Sequence, residues 1–309
     1  MYSEQDQLPT PASVDAPVDK AVRRDLPWAA IAWFGVLLIV AYYPILKHLV
    51  EQWMNDPDVG HGFFVPLVAG YIAWQRRDRL MALEWKPAWW GIAILAWGGL
   101  QAYIGLLGAE LFLQRSAFLI SLIGMLLVLG GTALVRELLF PLLLLPFMIP
   151  IPTVVYNRIT FPLQLFASRV AEVLLGLMDI PVVREGNVLE LASQKLSVAE
   201  ACSGIRSLLS LSFLSLVYSY FFDSKVWMRW ALFFGVLPIA ILANAGRVTI
   251  TGILSEHDPD LARGFFHELE GFVIFAIAFA MLYVLHLLIN WIYRWKFEKG
   301  KFPKEAPVA

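Results

Sequence analysis

The chain of 309 residues has a single cysteine, Cys202. One thiol excludes an internal disulfide framework and a cysteine-based metal cluster. Charge is also scarce: 16% of residues are Asp, Glu, Lys or Arg, against about a quarter in soluble domains. The formal net charge is −1 and there is no long basic run, so nucleic acid is not the expected partner. Neither a G-x-S-x-G nor an HExxH motif is present, and the residues imply no metal and no cofactor. What abounds is apolar: 59% hydrophobic residues, with 12 Trp and 21 Phe, at a mean hydropathy of +0.66. This is the composition of a chain built for a bilayer.

Crossing the hydrocarbon core as helix takes about 20 apolar residues. Uncharged runs near that length occupy 27–46, 87–109, 116–135, 138–157 and 271–293, and a shorter one, 59–75, begins at "VGHGFF". Two more, 203–222 and 226–246, carry one charge each, Arg206 and Arg229. The expectation is an all-α membrane protein, a polytopic bundle of about eight transmembrane helices. The 138–157 run holds Pro141, Pro146, Pro150 and Pro152 and should be kinked or short. Segment 158–183 carries Arg169 and Glu172 among leucines, which suits an interfacial helix. In "VVREGNVLELASQKLSVAEA", β-branched residues flank "REGN" and "SQK", a short strand-like segment before the sixth span.

Residues 1–26 are polar and rich in Pro, Ala and Asp, and read as a disordered tail without the pattern of a secretory signal. The expected organisation is therefore a tail over 1–26, one transmembrane domain over 27–293 and a basic tail over 294–309. With the N-terminus inside, 15 of the 24 Lys and Arg residues fall on inner segments. That bias predicts both termini in the cytoplasm.

The polar residues then sort by depth. Cys202 opens the sixth span, Arg247 ends the seventh in "LANAGRVTI", and His267 precedes the eighth. A start, an end and a start along an up-down-up path share one membrane face. A cysteine at a helix N-terminus is biased to thiolate, an imidazole moves protons near neutral pH, and a guanidinium stabilises an oxyanion or binds a carboxylate. Together they describe acyl transfer through a thioester. Each has a plainer reading: a small buried thiol, a snorkelling arginine, a solvated histidine. Arg206 lies one turn after Cys202 on the same face and is a candidate for binding substrate or steadying Glu200. Asn244, one turn before Arg247, is a candidate for orienting it. His61, at another helix mouth, is a possible participant, with capping or interfacial anchoring as its alternative. His286 lies 19 residues beyond His267, about 28 Å along a helix, and belongs to the opposite face.

"EACSGIRSLLSL", "ANAGRV" and "FFHELEGF" resemble the three signature blocks of the exosortase/archaeosortase family, and "VGHGFFVPLVAGYIAWQRRDRL" is similar to its second-helix region. The likeness spans about 27–293, with Gly246 standing where the family has a bulkier residue. The resemblance implies a bacterial inner-membrane cysteine transpeptidase with its active site at the periplasmic face. Its partners would be secreted proteins that end in a Pro-Glu-Pro-like motif, one transmembrane helix and a basic tail. They would be passed to a cell-surface acceptor, often beside exopolysaccharide synthesis. It casts Cys202 as nucleophile, Arg247 as stabiliser and His267 as acid/base. Two other functions fit the residues alone: a non-enzymatic component of exopolysaccharide export, with Arg206 and Arg247 lining a path, and an acyltransferase carrying a lipid thioester on Cys202.

Overall fold

The computed structural model describes residues 28–198, 204–223, 225–257 and 265–297. The first helices, α1 (Trp28–Ala41) and α2 (Tyr43–Asn55), meet at a bend of 73°. Pro44 stands in the first turn of α2, where its missing N–H costs nothing but α1 cannot continue straight through it. A 3-10 segment, Pro57–Phe63, leads into α3 (Phe64–Gln75) and the short α4 (Arg77–Ala82). Helix α5 (Gly91–Leu107) lies tightly along α6 (Leu111–Glu137). Without a hydrophobic force between helices in lipid, close packing of small residues must hold such a pair. Gly98 supplies it, since a β-carbon there would meet Ser121 Oγ at 2.2 Å. Helix α6 kinks at Gly131, whose φ of 72° leaves room for the Lys86 carbonyl.

After α7 (Leu139–Leu144) comes a 3-10 turn, Leu145–Met148, and then α8 (Thr153–Gly176). The prolines do shorten the fifth apolar run, as expected. They also start something: Pro152 caps a continuous helix of 24 residues. The segment expected as an interfacial helix is thus helical through Gly176, and by length and composition this helix is long and apolar enough to cross a bilayer. The last three helices are α9 (Gly204–Phe222), α10 (Val226–His257) and α11 (Phe265–Phe297). Among the described residues, four helices meet the length and apolarity of a span (α6, α8, α10 and α11), or five with the bent α1–α2 pair. Shorter apolar helices cover Gly91–Leu107, Leu139–Met148 and Leu208–Phe222. Every expected run contains helix, yet length alone does not make eight spans of them.

Three antiparallel strands follow α8 in the order β1 (Val182–Glu185), β2 (Val188–Leu191) and β3 (Lys195–Ser197). Val182 pairs with Leu191, and Leu189 with Leu196. The alternation of the sequence then turns Leu189, Leu191 and Leu196 to one side. They pack on Ala167, Ala171 and Leu175 of α8 and on Ala245 and Val248 of α10. Polar straps fix the sheet. Ser168 Oγ donates to the Gly186 carbonyl at 3.1 Å, Arg184 pairs with Glu172 at 2.8 Å, and Ser193 N and Oγ donate to Glu256. The strand-like reading of this segment holds, and it caps one end of α8 and α10, here the sheet end of the bundle.

Candidate active site

The far end of the last three helices carries a buried polar network. Tyr218 Oη on α9 lies 2.7 Å from His286 Nδ1 on α11. His286 Nε2 faces Asp223 Oδ2 at 3.3 Å and Asn290 Nδ2 at 2.7 Å. Arg229 on α10 donates to the Asp223 carbonyl at 3.2 Å and stacks over the rings of Tyr220 and Phe140. Arg76 joins from α3, donating to Tyr220 Oη at 2.9 Å and pairing with Glu137 of α6 at 3.2 Å. Buried polar groups are retained only where partners satisfy them, so these bonds set the relative heights of α3, α6, α9, α10 and α11. Asp223 sits outside the helices in the α9–α10 turn. Burial alone would raise its carboxyl, but the Lys225 amide, His286 and the Lys225 charge hold it below its ordinary value.

From that fixed end the helices can be measured. Gly204, two residues after Cys202, stands 14 residues from Tyr218, about 21 Å along the axis. Arg247 is 18 residues from Arg229, about 27 Å. Position 267 is 19 residues from His286, about 28 Å. The start of α9, the last third of α10 and the start of α11 therefore share the sheet end. Cys202 and Glu200 lie outside the described residues, and so do the side chains of Arg206 and His267, whose backbones belong to α9 and α11.

One contact is directly visible at this end. A β-carbon at Gly271 would lie 3.6 Å from Arg247 Nη2 and 3.8 Å from its Cζ. Gly271 follows position 267 by one helical turn, so both are on one face of α11. The Arg247 guanidinium thus rests against α11 one turn from His267. Thr251 Oγ1 donates back to the Arg247 carbonyl at 3.0 Å, which stiffens the turn that bears it.

The structure distributes the other candidates differently. Asn244 lines a narrow crevice with Leu163, Leu208 and Ala240, and no hydrogen bond joins it to Arg247 among the described residues. His61 is on the 3-10 segment before α3, packed near the Leu145–Met148 turn. Both ring nitrogens are buried without a hydrogen bond among the described residues. His286 lies at the opposite end, as its spacing required. Sequence reasoning passed over Arg115, which is buried on α6 at 3% exposure. It stands just outside the uncharged run 116–135, and so counted as a loop charge.

Residues 53–284 match the family model of the transmembrane exosortases. The chain belongs to the exosortase family. The matched region runs from the end of α2 to the second half of α11, so it takes in the sheet, Arg247 and the helix that carries His267. No curated protein and no solved structure matched the chain. Membership gives this multi-pass membrane protein an exosortase-type function in the processing of secreted proteins. In this exosortase the helices that bear the three sequence blocks are the last three of the bundle, and the network of Tyr218, Asp223 and His286 joins them at the end opposite those blocks.

Proposed function

We propose that this exosortase is a cysteine transpeptidase of the bacterial inner membrane. In this reading it cleaves a C-terminal sorting signal made of a Pro-Glu-Pro-like motif, a transmembrane helix and a basic tail. The sheet end is the periplasmic end, and both termini are cytoplasmic. The observation that carries the reading is the rest of the Arg247 guanidinium against Gly271, one turn from His267 on α11. It supports convergence of two of the three residues that the sequence singled out.

The chemistry follows from the groups. The Cys202 thiolate adds to the scissile carbonyl, and Arg247 donates to the oxyanion that forms. Collapse breaks the C–N bond, and His267 gives a proton to the leaving amine. The product is a thioester on Cys202 and a released helix-and-tail fragment. An acceptor nucleophile then adds to the thioester, loses its proton to His267 and expels the Cys202 thiolate. Arg206 and Glu200 are assigned to substrate binding beside the nucleophile. A substrate anchored by its own helix reaches the site already confined to the bilayer, which lowers the entropic cost of encounter. The sheet, strapped to α8 and α10, is suited to cover the thioester from water.

The test is co-expression with a secreted protein that carries such a signal, read as its length on a gel. Cys202→Ala should abolish shortening while the protein still inserts. Arg247→Ala should slow it by about 10²-fold or more, the usual loss for an oxyanion donor. Normal processing by Cys202→Ala rules the reading out.

A further inference from the structure

Arg115 raises a problem that the rest of the fold does not solve. Its side chain is 3% exposed, and Nε and Nη2 are buried with no hydrogen-bond partner. No hydrogen bond and no ion pair reaches it among the described residues. A guanidinium cannot shed its charge by deprotonation, and a buried charge without a partner is strongly unfavourable. Glu110 attracts the charge from an exposed position, but it makes no ion pair with Arg115 among the described residues and caps α6 by accepting from Leu113 N at 2.9 Å.

A second orphan faces the same interior. Arg115 lies one turn from both Phe112 and Leu119 on α6. Those two pack in one cluster with Trp53, Val59, Phe147 and Met148. His61 leaves the 3-10 segment between Val59 and Gly62. That segment is pressed on Trp53, since a β-carbon at Gly62 would lie 2.3 Å from the indole nitrogen. The indole is satisfied, donating to the Met148 carbonyl at 3.0 Å. The His61 ring is not: it stands by the Phe147 carbonyl without meeting hydrogen-bond geometry. Two side chains with unbonded polar atoms thus border one apolar cluster, whose indole nitrogen is already bonded.

The free atoms indicate what belongs there. Nε and Nη2 form the side edge of the guanidinium, which takes both oxygens of a carboxylate through two parallel bonds. Arg115 is also one turn from the first residue of α6. It lies 22 residues from Glu137, which Arg76 ties to Tyr220 of α9 at the network end. It stands about 24 Å along α6 from the kink at Gly131, with Glu137 beyond the kink, so Arg115 is at the end of α6 away from the network. The 3-10 segment that holds His61 packs against α9 itself.

We infer that Arg115 and His61 form a specificity subsite for an acidic side chain of the substrate peptide. This rests on the transpeptidase reading, in which a peptide motif with an acidic residue is presented at the sheet end. Arg115 clamps the carboxylate through Nε and Nη2, and His61 completes its hydrogen bonding. An amide in place of the acid leaves the guanidinium buried and uncompensated, which is the physical source of discrimination. Both residues are in the half of the chain that holds none of the three catalytic candidates, so recognition and chemistry come from separate helices.

The test uses the full-length Cys202→Ala chain in nanodiscs, where binding is measured without turnover. The probes are an N-acetylated Pro-Glu-Pro amide and its Pro-Gln-Pro counterpart. The acid should bind at least tenfold more tightly, and Arg115→Met should reduce that preference to under threefold. Arg115→Lys, which keeps the charge and loses the fork, should fall between. Arg115→Met should melt no lower than its parent, because it removes an unpaired buried charge. Equal affinity for the two peptides, binding of neither, or a preference that survives Arg115→Met overturns the subsite. So does a large loss of thermal stability in Arg115→Met, which would mark the guanidinium as structural. Failure of the transpeptidase reading shows separately, as absent cleavage by the wild-type chain that binds the acid normally.

Discussion

Tyr218 and His286 come from helices α9 and α11 and share a buried 2.7 Å hydrogen bond. Because Asp223 takes the other face of the same imidazole, one histidine joins the end of α9, the α9–α10 turn and the middle of α11. In a bilayer the apolar faces of helices gain little by meeting one another, so polar bonds of this kind have a larger part in setting register. His286→Ala strands the phenol and one carboxylate oxygen of Asp223, whose other oxygen keeps the Lys225 amide, at about 1–3 kcal/mol for each buried group left unsatisfied. Tyr218→Phe strands only the ring nitrogen and should cost less. Denaturant unfolding in micelles reads the difference, and a loss under about 0.3 kcal/mol for His286→Ala, far below the cost of one stranded group, would contradict the role.

The same network makes stability depend on acidity. Asp223 is held below its ordinary carboxyl value of 3.8, burial being outweighed by the Lys225 amide, His286 and the Lys225 charge. A group whose folded pKa is depressed stabilises the fold fully above its unfolded value and loses that contribution as pH falls through the folded one. Melting of the wild type should therefore drop as pH falls below about 4, the unfolded range of a carboxyl. Asp223→Asn should melt lower at neutral pH and lose part of that acid dependence. Parallel melting curves for the two proteins across this range would refute the assignment.

Gly271 sets how closely α11 approaches Arg247. A methyl group there meets the guanidinium at 3.6 Å, ordinary contact, so Gly271→Ala should keep most processing. Gly271→Leu fills the space in which the guanidinium rests. It should slow processing by about tenfold or more, the effect of about 1.4 kcal/mol, with insertion unchanged. Equal processing by Ala and Leu variants would show that the guanidinium acts elsewhere.

Hydropathy located the apolar runs, each of which contains helix, because a bilayer demands apolar length, and alternation of spans put Arg247 and position 267 at one end. It misplaced the start of α8. Pro150 and Pro152 were read as breaks inside a span, whereas Pro152 marks where a helix of 24 residues begins. Arg169 and Glu172 then looked too polar for a span, though Glu172 is paired with Arg184 of β1, a partner only the hairpin brings near. The network around His286 was hidden for a similar reason. Its members come from two helices and the α9–α10 turn, and no local pattern announces a tertiary hydrogen bond. Arg115 was missed because a charge at the edge of an apolar run looks like the end of a helix, and only burial separates the two cases.

The most direct measurement uses the fact that Cys202 is the sole thiol. The rate at which it is alkylated as a function of pH reports its ionisation with no other cysteine to correct for. The proposed convergence of Arg247 and the α9 N-terminus on the sulfur predicts an apparent pKa below the ordinary value of about 8.5, raised by about one unit in Arg247→Met. An apparent pKa at or above about 8.5, unchanged by Arg247→Met and His267→Ala alike, contradicts the account.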